Sequence, residues 1–161
     1  MIKEDKYLTR RHLEAYSEIK LARLLEKKNY TTFFPFKDRI AVDMVVIKDG
    51  EKEIELYQLK ARNQSMEMGK GIYWFNLKKD IKKLSKLKSK NIFFILCALQ
   101  ENQKDFHFFK IPLKVVLEYF KQKEESNKNC TFFDMKRGKD MNYKIMPYRI
   151  KNIDLDKFRL K

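Results

Sequence analysis

Glycine, proline and cysteine are scarce in this chain, at four, three and two of 161 residues. The scattered glycines form no phosphate-cradling loop, which excludes the commonest nucleotide-binding signatures. Cys97 and Cys130 lack metal-ligand spacing, so no zinc-ribbon framework is expected. Cys97 lies within the apolar run Ile92 to Leu99 and reads as a small core residue. His12 and His107 are the only histidines, and no Ser-His-Asp pattern surrounds them. The run from Ile92 to Leu99 is also the longest apolar stretch, too short to cross a bilayer. The first residues are charged and lack the apolar segment of a secretory signal, so a cytoplasmic protein is expected. With no internal repeat or low-complexity linker, one domain over residues 1–161 is the simplest organisation.

What is abundant is positive charge. Lysine and arginine exceed acidic residues by 15, and the pI is about 9.7. Such a field attracts polyanions, nucleic acid above all, and a membrane surface is not the expected partner. Lysine enrichment from an AT-rich genome or a heat-adapted source is the plainer alternative. Hydrophobic residues make up 43% and aromatics 14%, enough for a folded core.

Hydrophobic periodicity predicts an amphipathic helix over residues 8–29 and a short strand over 30–36. A hairpin follows, with arms at 40–47 and 54–61, and then a loop over 62–71. A lysine-rich helix over 75–87 has Leu77, Ile81, Leu84 and Leu87 as its inner stripe. Beyond it come strands at 92–99 and 106–110, a helix over 111–122 opening near Pro112, and short strands at 131–135 and 144–149. This order gives an α/β (α+β) class: a core over about 8–99 with helix, three strands, helix and strand around a mixed sheet, and a C-terminal elaboration over about 104–161.

The hairpin holds the unexpected polarity. Asp49-Gly50 is a strong turn signal, and a two-residue loop sets Lys48 opposite Glu51, Asp43 opposite Leu56, Ala41 opposite Gln58 and Arg39 opposite Lys60. With side chains alternating at period two, Asp43, Gln58 and Lys60 share one face. Asp43 and Gln58 become diagonal neighbours, roughly 7–8 Å apart at the backbone, near enough to reach one cation. An unpaired charge on a buried face is costly, so a purely structural hairpin would avoid this pattern. A structural ion pair between Asp43 and Lys60 is the alternative.

A first-helix glutamate, a strand acid, then an acid-x-Lys triplet on the next strand resembles the PD-(D/E)XK nuclease superfamily. The matching residues are Glu18 in Ser17-Glu18-Ile19-Lys20-Leu21-Ala22, Asp43 in Ile40-Ala41-Val42-Asp43-Met44-Val45-Val46, and Gln58-Leu59-Lys60. The resemblance covers about residues 13–99. Gln58 stands where the family carries Asp or Glu, and Val42 precedes Asp43. The Gln-x-Lys version resembles the site of a bacterial group I intron homing endonuclease of this superfamily, or a Holliday junction resolvase-like nuclease.

The resemblance implies a metal-dependent DNA endonuclease using one or two Mg²⁺ ions, with Mn²⁺ as a possible substitute. Asp43 would be the central ligand, joined by the Gln58 side-chain oxygen, the Leu59 carbonyl and Glu18, directly or through water. A neutral amide implies fewer or weaker metal sites than a carboxylate. Lys60 would orient the attacking water and offset phosphate charge. Glu14 shares the Glu18 stripe and is the alternative acid. DNA contacts are expected at Arg62, Asn63, Gln64 and Lys70 beside the catalytic strand, and at Lys78 and Lys79 on the helix, where Lys82, Lys83 and Lys86 continue the run. The lysine run also reads as an ordinary solvated face. Tyr73 and Trp74 are candidates for base stacking or for core anchors. One site per chain makes a homodimer or larger homo-oligomer the natural assembly for duplex cutting. The rival readings are a catalytically inactive nucleic-acid-binding protein on the same fold and an interaction module whose lysines only keep it dissolved.

Overall fold

A computed structural model describes residues 10–35, 41–63, 71–89, 91–100, 105–125, 132–137, 143–146 and 155–161. Helix α1 (Arg10–Glu26) buries a stripe of Leu13, Ser17, Leu21 and Leu25, each four residues apart, and leaves Ile19 exposed. It ends three residues short of the expected limit. Asn29 takes a left-handed φ of 62°, a conformation Asn tolerates, and reverses the chain into β1 (Tyr30–Phe33).

The hairpin is formed by β2 (Met44–Lys48) and β3 (Ile54–Arg62). Gly50 supplies the positive φ of 82° at the turn, and the Glu51 N–H closes it on the Lys48 carbonyl at 3.0 Å. The register differs from the expected one, because Met44 pairs with Tyr57 and Ile47 with Ile54. Carried one step further, this sets Asp43 opposite Gln58 instead of Leu56. The shift is two residues, so every side chain keeps its face. It sets Asp43 beside the polar Gln58, while Val45 meets the apolar Leu56.

Strand β4 (Ile72–Asn76) precedes α2 (Lys78–Leu84), so the expected helix start at residue 75 belongs to a strand. The sequence Ile-Tyr-Trp-Phe is β-branched and aromatic, and Phe75 packs as a strand residue. Strand β5 (Ile92–Leu99) runs parallel to β3 and is buried along nearly its whole length. A sheet strand covered on both faces needs such a continuous apolar run. Strand β6 (Phe106–Pro112) extends two residues beyond expectation, and α3 (Leu113–Glu125) begins immediately after Pro112. The last elements are β7 (Phe132–Arg137), β8 (Tyr143–Met146), a 3-10 turn Leu155–Phe158 and β9 (Arg159–Leu160).

Six strands form a mixed sheet in the order β1-β2-β3-β5-β6-β9, and β4-β7-β8 form a second, three-stranded sheet. One face of the large sheet packs under α1 through Leu21, Leu25, Met44, Tyr57, Leu59 and Ile95. The other packs Phe94, Leu96 and Phe109 with α2, α3 and the small sheet, through Leu84, Tyr119 and Phe133. The segment after residue 104 is thus woven into the core: β6 and β9 lie in the large sheet, and Leu155 is fully buried. Among the described residues no helix is long and apolar enough to cross a membrane.

Candidate active site

Alternation along β3 sends Tyr57, Leu59 and Ala61 into the core beneath α1, and Gln58 and Lys60 to the opposite face. Asp43 meets them just before β2 begins, its N–H donating to the Tyr57 carbonyl at 2.8 Å. Two residues earlier, Ala41 has a φ of 54° and is buried. That backbone region is costly for a residue with a Cβ, and such strain gathers at working sites.

Three hydrogen bonds tie the centre together. Gln58 Nε2 donates to Asp43 Oδ2 at 2.5 Å, and the Leu59 N–H donates to the same oxygen at 2.7 Å. Gln58 Nε2 also lies 3.3 Å from the Leu59 carbonyl oxygen. The amide thus bridges two oxygens, as a small cation would. Its own Oε1 is buried and has no hydrogen-bond partner among the described residues. A buried acceptor left unsatisfied costs free energy, and a cation or an ordered water supplies what the protein does not.

These residues line a cleft of about 250 Å³ together with Glu14, Glu18, Ala41, Asp80 and Lys83. Four carboxylates therefore share one concavity in a protein of net charge +15. Glu18 is partly buried, and burial, then Asp43, then Glu14, hold its carboxyl above the usual range. Glu14 faces the same cleft but pairs with Arg62 at 3.6 Å. The Lys60 ammonium lies 3.1 Å from Asp80 in the first turn of α2.

The oxygens of Asp43, Gln58, Leu59 and Glu18 suit a hard divalent ion by their chemistry. Among the described residues no group of three or more His, Cys, Asp and Glu is arranged to hold a metal. A cation here accordingly depends on the Gln58 amide and a backbone carbonyl. The orphaned Gln58 Oε1 fits that requirement.

The expected DNA-contact residues divide. Lys78 and Lys79 are exposed on α2, as are Lys82 and Lys83. Arg62 is held by the Ala61 carbonyl at 2.6 Å and by Glu14, and Asn63 buries an Oδ1 that has no hydrogen-bond partner among the described residues. Gln64 and Lys70 lie outside the described residues. Tyr73 is a core anchor, fully buried with its hydroxyl donating to the Leu99 carbonyl at 2.9 Å, while Trp74 is partly buried. Cys97 is buried among apolar neighbours, as expected, and burial pushes its thiol up. Asp80 was not anticipated at the site, and Lys83, expected only in the phosphate-facing lysine run, lines the cleft as well. Their signal was an acid and a lysine three apart on a helix whose buried side is Leu77 and Leu84, which places both on one flank.

Compared with models of known protein families and with curated proteins, the sequence matches none. Among solved structures, the fold is similar to that of a bacterial homing endonuclease, I-Ssp6803I, with a TM-score of 0.53 and 13% identity, over 95% of this chain and 88% of that one. At this identity the similarity is one of fold. It reaches well past residue 99, in keeping with the C-terminal strands that complete the large sheet. The chain therefore has an endonuclease-like fold: a mixed α+β architecture with, among the described residues, three helices around a six-stranded sheet.

Proposed function

We propose that the chain is a Mg²⁺-dependent DNA endonuclease with a PD-(D/E)XK-type site, for which Mn²⁺ is a substitute ion, and that residues 1–161 form one nuclease-like domain working in the cytoplasm. The supporting observation is the convergence of Glu18, Asp43, Gln58 and Lys60 on one acid-lined cleft, in a strongly basic protein with an endonuclease-like fold. Homing, restriction and junction-resolving substrates are all compatible with it.

Bound at these oxygens, a divalent ion supplies charge stabilisation at the phosphoryl oxygen and a more acidic water. Asp43 presents its carboxylate at the centre, fixed by the Leu59 N–H. Gln58 contributes its amide oxygen without adding charge, and Leu59 its carbonyl. Glu18 completes the set from α1. Lys60 orients the attacking water and offsets the charge gathering on the phosphate, the kind of preorganised electrostatics that dominates such catalysis. Lys78 and Lys79 take the flanking phosphates, joined by Arg62, Asn63, Gln64 and Lys70, which follow Lys60 in the sequence. One cleft cuts one strand, so duplex cutting requires two chains in a homodimer or larger homo-oligomer.

One observation favours the alternative of a catalytically inactive DNA-binding protein on this fold: the Gln58 amide donates to Asp43 and the Leu59 carbonyl, two oxygens that a cation would otherwise take. The deciding experiment incubates the protein with supercoiled plasmid, a four-way junction or single-stranded DNA in Mg²⁺, Mn²⁺ or EDTA, beside Asp43→Ala and Lys60→Ala. Metal-dependent cutting lost in both variants is expected. Binding without cutting in every condition leaves the inactive reading standing.

A further inference from the structure

Helix α2 carries more than phosphate-facing lysines. Its buried residue Leu84 and the adjoining Leu77, both fully buried, seat it on the core, and this turns Asp80 and Lys83 toward the cleft. Asp80 Oδ2 sits 3.1 Å from Lys60 Nζ, and the two side chains are only 17% and 16% exposed.

A lysine has four rotatable side-chain bonds, and ordering it costs rotamer freedom. Lys60 projects from β3 into a cleft that also holds Asp43 from the hairpin and Glu14 and Glu18 from α1. An ammonium drawn to those three carboxylates would compete with the proposed cation for their oxygens. Asp80 lies on a separate element, α2, and its contact at 3.1 Å gives Lys60 a partner outside that set. The contact engages one face of an ammonium that has three donors, leaving the others for water or a phosphate oxygen. Pairs with more exposure stabilise little, and the value of this one lies in the direction it imposes.

We infer that Asp80 is a positioning residue for Lys60: it holds the ammonium in catalytic register and away from the oxygens of Asp43, Gln58 and Glu18. This role rests on the nuclease reading. Lys83, three residues on, lines the same cleft and offers a second cation facing the substrate phosphate.

The test compares wild type, Asp80→Asn and Asp80→Glu in cleavage kinetics with Mg²⁺, in DNA affinity measured in EDTA, and in thermal midpoint. Asp80→Asn is expected to lower kcat about 10- to 100-fold, the scale of a misplaced catalytic group. Its DNA affinity should equal or exceed that of wild type, because a negative charge facing a polyanion is gone. Asp80→Glu should recover most of the lost kcat. A merely structural role predicts the opposite split, with affinity and midpoint falling together with the rate. That result overturns the inference, as does Asp80→Asn cutting within twofold of wild type or Asp80→Glu cutting no better than Asp80→Asn. A wild-type protein inert with every metal sinks the nuclease reading and this role together, whereas an active wild type with an equally active Asp80→Asn sinks the role alone.

Discussion

Gln58 concentrates the chemistry of the site at the residue scale. Its amide nitrogen sits 2.5 Å from Asp43 Oδ2. Glutamate there would set two carboxylates against each other in a partly buried place. Gln58→Glu is therefore expected to lower metal-free stability by about 1–3 kcal/mol, in the range of an unsatisfied buried polar group. Mg²⁺ should then raise its midpoint more than it raises that of wild type, because binding to the folded state adds stability by mass action. Thermal melts in EDTA and across a Mg²⁺ titration check this, and equal metal responses would count against a cation site. Glu18 makes the second case. Its carboxyl is held above the ordinary range, so the folded protein binds this proton more tightly than the unfolded chain does. Stability consequently falls as pH rises through that window, and the penalty is absent below the ordinary carboxylate value. Glu18→Gln should melt about 1–2 °C higher than wild type near pH 8, with the gain vanishing near pH 4. The gain is small because Glu18 is only partly buried. A variant that melts lower at pH 8 would mean the carboxylate stabilises the fold instead of serving the site.

Among the elements, β3 and the short β4-α2 unit place the chemistry. Alternation along β3 explains why Gln58 and Lys60 were legible as a pair: period two survives any even shift of register, and the shift found here is two residues. The direct apposition of Asp43 and Gln58 was not legible. It depends on cross-strand matching of Val45 with Leu56 and on contacts that hold the turn, including the Asp49 N–H to the Asn29 carbonyl at 2.9 Å and Thr31 Oγ1 to Asp49 Oδ1 at 2.9 Å. Strand β4 went unseen because its apolar run is short and leads directly into the helical stripe that starts at Leu77, and short apolar runs do not separate the two periods. Tyr73 ties that strand to the end of β5 through Leu99. Tyr73→Phe should lower stability by about 1 kcal/mol, read by denaturant unfolding with an unchanged m-value. A neutral result would mean that the Leu99 carbonyl finds another donor.

For the whole molecule, the decisive contrast is a net charge of +15 around a cleft lined by four carboxylates. The surface draws a polyanion in, and the cleft repels it unless a cation intervenes. DNA binding in EDTA should fall about tenfold or more between 50 and 200 mM salt, linearly on a log-log plot, because each phosphate neutralised releases counterions. Salt-independent binding, or none, would mean the lysines serve solubility alone. The sequence by itself determined the amphipathic first helix, the buried central strand, the hairpin and the common face of Asp43, Gln58 and Lys60, since these follow from periodicity and turn chemistry within a short stretch of chain. Only the tertiary structure decided the rest: that Asp80 meets Lys60, that Glu14 engages Arg62, and that strands after residue 104 complete the large sheet. Those contacts join residues far apart in the chain, and packing between whole elements, which no local pattern encodes, sets their distances.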